Sequence, residues 1–177
     1  MLKVARELLG ISQDELADEL GLERRAVQRA EARNPSLSLE RQELFTAYFY
    51  RRGLEFSGPN GDSLGWGIAE LVDRGENSVP SRFIRAARIG LNKSQEAMGV
   101  DADLGTATIR RIEATEETVQ KETRLYLIEH MKNAGVAFMP PNGARGLQLA
   151  LAVTETDSAV RHPRFNLQKR KRSAPRG

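Results

Sequence analysis

Arg24, Arg25, Gln28 and Arg29 crowd into six positions, with Arg33 just beyond them. A guanidinium group offers a planar fork of donors that fits a phosphate or the O6/N7 edge of guanine, so the chemistry such a run could do is recognition of nucleic acid. Gln13 stands ahead of this run, at the start of a predicted helix. There a side-chain amide and the helix's first N–H groups suit a phosphate. A second, less basic set follows 82 residues later: Gln95, Thr106, Ala107, Thr108, Arg110 and Arg111. The methyl groups of Thr106 and Ala107 suit thymine methyls, and Arg111 suits a guanine. Charge runs are more often plain solvated helix faces, so these residues matter only if the elements carrying them present them outward.

Other chemistries find little support. The chain has no cysteine and only two histidines, His130 and His162. Thiolate metal sites, disulfides and cysteine nucleophiles are therefore excluded, and a histidine base has few candidates. Gly61-Asp62-Ser63-Leu64-Gly65 matches the G-x-S-x-G pattern of serine hydrolases, but neither histidine has a place in a triad with it. The corresponding stretch of the later copy, Gly143 to Leu147, lacks a serine. A turn explains both. The acidic cluster Glu113, Glu116, Glu117 and Glu122 lacks the spacing of a calcium loop. No cofactor or metal is expected, and an enzyme is not.

The chain of 177 residues is 40% hydrophobic and 29% charged, the balance of a folded globular protein. Its net charge of +3 hides an asymmetry. From Arg161 onward there are seven basic residues and no acidic one, so the preceding 160 residues carry 20 basic and 24 acidic side chains. The basic footprint thus lies in a tail, predicted to be disordered, whose Lys169-Arg170-Lys171-Arg172 run suits phosphates or solubility equally. No apolar run reaches membrane-spanning length and Met1 opens no apolar signal core, so a cytoplasmic, nucleoid-associated location is expected.

Shifting the sequence by 82 residues aligns it with itself: Ala5/Ala87, Arg6/Arg88, Ser12/Ser94, Gln13/Gln95, Arg29/Arg111, Glu31/Glu113, Gly53/Gly135, Phe56/Phe138 and Pro59-Asn60-Gly61/Pro141-Asn142-Gly143. One structural unit is duplicated. Each copy reads as helices followed by a short hairpin. Leu2, Ala5, Leu8 and Leu9 recur at helical spacing; Ser12 with Glu15 is a capping box opening a helix over 13–20, which Gly21 ends. A third helix spans about 24–33 until Pro35, and Leu39 to Gly53 holds a further helix or two. Leu54–Phe56 and Leu64–Ile68 read as strands about an Asn60-Gly61 turn, mirrored by Val136–Met139 and Leu147–Leu151. The expected organisation is a first unit over 1–72, a linker over 73–80, a second unit over 81–155 and the basic tail over 156–177. Trp66 and Phe56 are expected to fill the space between hairpin and helices. Units of this size sit near the lower limit for an independent core and should dock on each other.

Ser12-Gln13-Asp14-Glu15-Leu16-Ala17, Gly21-Leu22, Val27 and Glu31, echoed by Ser94-Gln95-Glu96, Leu104, Ile109 and Glu113, resemble the lambda-repressor-like (XRE) helix-turn-helix family. The resemblance covers about 1–70 and 82–150. It implies a mainly α fold of two tandem helix-turn-helix domains, with Arg6–Glu31 and Arg88–Glu113 as buried structural ion pairs and a small residue, Ala17 or Gly99, where helices cross. It implies double-stranded DNA as partner, with the second helix of each motif in the major groove. A bacterial or phage transcriptional regulator acting as a covalent pseudo-dimer follows from duplication. Glu116 and Glu117 stand where the first copy has Asn34-Pro35 and would repel phosphate. They keep open an adaptor reading, in which the second unit binds RNA polymerase or another regulator.

Overall fold

The computed structural model describes residues 1–32, 37–58, 65–76, 78–114, 119–143 and 145–152. Arg33, Asn34, Pro35, Glu116, Glu117, residues 59–64 with the Gly-Asp-Ser-Leu run and the expected Asn60-Gly61 turn, and the basic tail lie outside them. Two sets of elements follow one another. The first is α1 (Leu2–Leu9), α2 (Gln13–Leu20), α3 (Arg24–Ala30), α4 (Leu39–Arg51), β1 (Leu54–Ser57) and β2 (Gly65–Glu70). The second is α5 (Ser81–Gly90), α6 (Gln95–Asp101), α7 (Thr106–Ala114), α8 (Lys121–Asn133), β3 (Val136–Met139) and β4 (Gln148–Ala152).

The duplication is visible in backbone geometry as well as in side chains. Both bounds of α4 and β1 recur in α8 and β3 at the 82-residue shift. Gly10 (φ 69°) and Gly21 (φ 64°) end α1 and α2 in the left-handed conformation, and Asn92 (φ 57°) and Asp103 (φ 50°) repeat it. Asparagine and aspartate are the non-glycine residues that tolerate this region best, so the second copy keeps each turn without its glycine. At the start of α2 the Ser12 hydroxyl accepts from Glu15 N (3.1 Å) while Ser12 N donates to the Glu15 carboxylate (2.6 Å), the expected capping box. In the second copy Ser94 still caps α6 through Ala97 N, but alanine cannot return the bond.

Several boundaries differ from the sequence reading. The third helix ends at Ala30, its last turn tightened by Ala32 N donating to Arg29 O. Leu39 to Gly53 holds a single helix. The second strands lie at Gly65–Glu70 and Gln148–Ala152, because the 82-residue shift becomes 81 beyond the hairpin turn. Glu70 pairs with Leu54, whereas Leu151 pairs with Val136. The Asn142-Gly143 turn also lies in a longer loop, with residues 140–147 between the last paired residues, Met139 and Gln148. There Arg145 N donates to Asn142 Oδ1 and Asn142 N to Arg145 O.

The two hairpins form one antiparallel sheet in the order β1-β2-β4-β3. Across its central ladder Ile68 faces Leu149, and these are corresponding residues of the two copies at the 81-residue shift. A pseudo-two-fold axis therefore passes through this pair. Both side chains are fully buried. The two strands approach closely enough that a Cβ on Gly65 would lie 1.6 Å from the Leu151 carbonyl oxygen. Around the same axis α1 packs on α5, and Glu7 accepts from Arg85 at 2.7 Å. The docking expected of two small units thus takes the form of a shared sheet and one core. That core joins Leu16, Val27, Phe45 and Phe49 to Met98, Ile109, Leu127 and Met131. Volume is exchanged between helices: Phe45 and Phe49 of α4 become Leu127 and Met131, while Val27 and Ala30 of α3 become Ile109 and Ile112. Such compensation keeps total volume, which cores tolerate best.

The stretch between the copies is anchored. Arg82 donates to both carboxylate oxygens of buried Glu70 (3.1 and 3.2 Å) and to Glu76, and Pro80 caps α5. Phe56 packs edge-on against Phe49 at 5.6 Å, as expected. Trp66, opposite Leu151 across the central ladder, keeps 37% of its surface exposed.

In the first copy, α2 is tied to α4 by Glu19, which accepts from the Tyr48 hydroxyl (2.9 Å) and from Arg52. The Tyr48 bond first, and Arg52 after it, hold the Glu19 carboxyl below its ordinary value of 4.5. A carboxyl depressed by folding stabilises the fold above its unfolded value and stops doing so as pH falls through the folded one. Tyr48→Phe should therefore lower stability at pH 7, and the gap from wild type should narrow at pH 3. Urea titrations at both pH values measure this, and a gap equal at both would refute it.

Candidate nucleic-acid interface

The chain between α2 and α3 is set by local bonds. Leu22 N donates to Ala17 O (2.8 Å), wrapping the turn over the end of α2, and Ala26 N donates to Glu23 O, starting α3. Ala17 is buried at the crossing. In the second copy Leu104 N reaches Gly99 O in the same way, and a Cβ on Gly99 would lie 2.7 Å from the Leu104 carbonyl oxygen. The α6–α7 approach is thus closer than that of α2–α3, where alanine fits.

Periodicity then decides what each third-position helix presents. Ala26, Val27 and Ala30 turn inward from α3, which leaves Arg24, Arg25, Gln28 and Arg29 exposed. Arg24 is held at 3.0 Å by Asp14 of α2, with more than half of both side chains in solvent. An ion pair so exposed contributes little to stability, so Arg24 can exchange Asp14 for another anion at small cost. Asp14 enters the sequence expectations only within the family motif; its pairing with Arg24 has a readable signal, an acid in the first turn of α2.

On α7, Ile109, Ile112 and Glu113 turn inward, and Ala107, Arg110 and Arg111 are exposed. Thr106 and Thr108 are half-buried, so fewer of the second set face outward than of the first. The acid beside this helix is partly neutralised: Asp101 is bonded to Lys93.

Behind both helices lie two corresponding clusters. Arg6 grips Glu31 through Nε (2.6 Å) and Nη2 (3.3 Å), and Arg88 grips Glu113 through Nε (2.6 Å) and Nη2 (3.0 Å). Each arginine also donates through Nη1 to a turn carbonyl, of Ile11 or Lys93, at 2.7 Å. All four side chains are at most 10% exposed. Burial opposes the charge on Arg6, but Glu31 and then Glu7 outweigh it and raise its pKa further. These pairs tie the first helix of each copy to the third, the structural role expected of Glu31 and Glu113.

The same clusters engage Gln13 and Gln95, the residues expected to meet phosphate. Their amide nitrogens do not point to solvent. Gln13 Nε2 donates to Glu31 and Gln95 Nε2 to Glu113, each at 2.8 Å. A buried carboxylate has more lone pairs than one guanidinium fills, and the first side chain of the next helix is the donor within reach. The outcome rests on a residue 18 positions away, which helix-start rules cannot see.

Comparison with protein-family models, curated proteins and solved structures returns no match for this chain. Among the described residues, no helix is long and apolar enough to cross a membrane.

Proposed function

We propose that the protein is a sequence-specific transcriptional regulator that binds double-stranded DNA through two lambda-repressor-like helix-turn-helix units in one chain. The observation that carries this reading is the outward face of α3. Arg24, Arg25, Gln28 and Arg29 are all exposed on a helix whose other face is locked into the core. A helix so held can lie along a major groove with its guanidinium forks toward base edges. The two-fold relation of the copies supports the pseudo-dimer, since two readers so related suit half-sites about one helical turn apart, ~34 Å. Their side chains differ, so the preferred site is an imperfect inverted repeat.

The test begins with selection of a duplex from a random pool and measurement of its affinity by fluorescence anisotropy. Arg25→Ala should weaken binding to the selected duplex roughly 10- to 100-fold, the worth of one bidentate base contact. Arg111→Ala should do the same for the other half-site. Equal affinity of the wild type for scrambled duplex rejects the proposal.

One observation favours the adaptor reading for the second copy. Leu125 and Tyr126 are 53% and 52% exposed on α8, where α4 carries Glu43 and a half-buried Leu44. In that reading the second unit docks on RNA polymerase or another regulator. A complex with purified polymerase that survives nuclease and is lost in Leu125→Glu/Tyr126→Glu would establish it.

A further inference from the structure

The cluster behind α7 continues outward, and the one behind α3 does not. Gln95 donates its amide nitrogen inward to Glu113 (2.8 Å), which turns its carbonyl oxygen toward α7, where it accepts from Arg110 Nε at 3.3 Å. A chain of hydrogen bonds therefore runs from buried Arg88 through Glu113 and Gln95 to exposed Arg110, crossing α5, α7 and α6. In the first copy the corresponding chain is Arg6–Glu31–Gln13, and Gln28 occupies the position of Arg110.

Resting on the DNA-binding reading above, we infer that Arg110 is a further specificity-determining arginine of the second unit, beside Arg111, and that Gln95 is its positioning residue, not a phosphate ligand. The argument is geometric. The amide of Gln95 cannot flip, because Glu113 accepts only from its nitrogen end; a flip would set two oxygens against each other. Its oxygen is thereby fixed as an acceptor, and Arg110 Nε is the donor it meets. An arginine held through Nε keeps its Nη1/Nη2 edge for a second partner, and that edge carries two parallel N–H groups matched to guanine O6 and N7. A long side chain normally loses rotamer freedom on contact with a ligand, and a group ordered beforehand loses less. The second unit, poorer in cations than the first, compensates with one arginine already oriented. The base pair that Arg110 prefers is G·C, whereas the exposed side chains of α3 lack an equivalent tether to the buried pair.

Two measurements test this. In DNA-free protein, the Arg110 Nε–H signal in 1H–15N spectra should show slow solvent exchange in the wild type and ordinary fast exchange in Gln95→Met, which keeps length and helix preference but removes the acceptor. Fast exchange in the wild type overturns the inference whatever the protein binds. On the selected duplex, Arg110→Ala should abolish discrimination at one base pair, roughly 10- to 100-fold. Gln95→Met should weaken discrimination at that same pair and leave the others. If Gln95→Met instead weakens every sequence equally, Gln95 is a phosphate ligand and the inference is wrong. Slow exchange with no sequence preference in any duplex would leave the positioning chain standing and reject the DNA-binding reading.

Discussion

Glu113→Ala is expected to cost about 3–5 kcal/mol of unfolding free energy, the loss that follows when one member of a buried ion pair is removed and the other stays behind. Arg88 would keep only the Lys93 carbonyl as acceptor, with its guanidinium about nine-tenths buried. Glu31→Ala should cost less. Arg6 also donates to Glu7 at 3.1 Å, so its charge retains a carboxylate, whereas the position matching Glu7 in the second copy is Ile89. The ranking is as informative as the size. A double change, Arg88→Met with Glu113→Leu, removes both charges together and should recover most of the loss. Equilibrium urea unfolding measures all four proteins; equal costs for Glu31→Ala and Glu113→Ala would show that Glu7 does not share the charge.

Leu149→Ala should destabilise by about 2–5 kcal/mol, because it opens a cavity at the centre of the shared sheet. Ile68 faces it directly, and the two are buried to 1% and 0% exposure. Ile68→Ala should cost a similar amount, and the double change less than the total of the two, since one cavity serves both. Beyond stability, this seam fixes the angle between the copies. Loosening it should weaken binding to the full selected duplex while leaving affinity for a duplex carrying only one half-site unchanged, because simultaneous engagement depends on geometry. Thermal unfolding and anisotropy on the two duplexes check the paired outcome. Equal losses on both duplexes would place the effect within one unit rather than between them.

Much of this arrangement is written locally. Ser12 with Glu15 announces α2, Gly21 ends it, and Val136–Met139 reads as a strand from its own residues. The repeat exposes Arg6/Glu31 and Arg88/Glu113 as pairs because the same two residue types recur together. What stays hidden depends on partners far along the chain. Nothing near Gln13 says that its amide turns inward, because Glu31 decides that. The joining of β2 to β4 is a pairing between strand edges about 80 residues apart, and edge pairing leaves no periodic signal. Thr106 and Thr108 look like free helix residues until the crossing over Gly99 brings α7 close to α6. Trp66 is expected between hairpin and helices, yet two residues from Ile68 on the same strand it keeps 37% of its surface in solvent. The outward set on α3 was legible because Ala26, Val27 and Ala30 leave only one face to solvent.

Because the two-fold axis runs through a single polypeptide, each half answers to its own codons. In a symmetric homodimer every substitution is made twice, so both arms change together. Here Arg24-Arg25 and Thr106-Ala107 already stand at matching places. A change at one leaves the other intact, and the two faces are free to diverge one residue at a time.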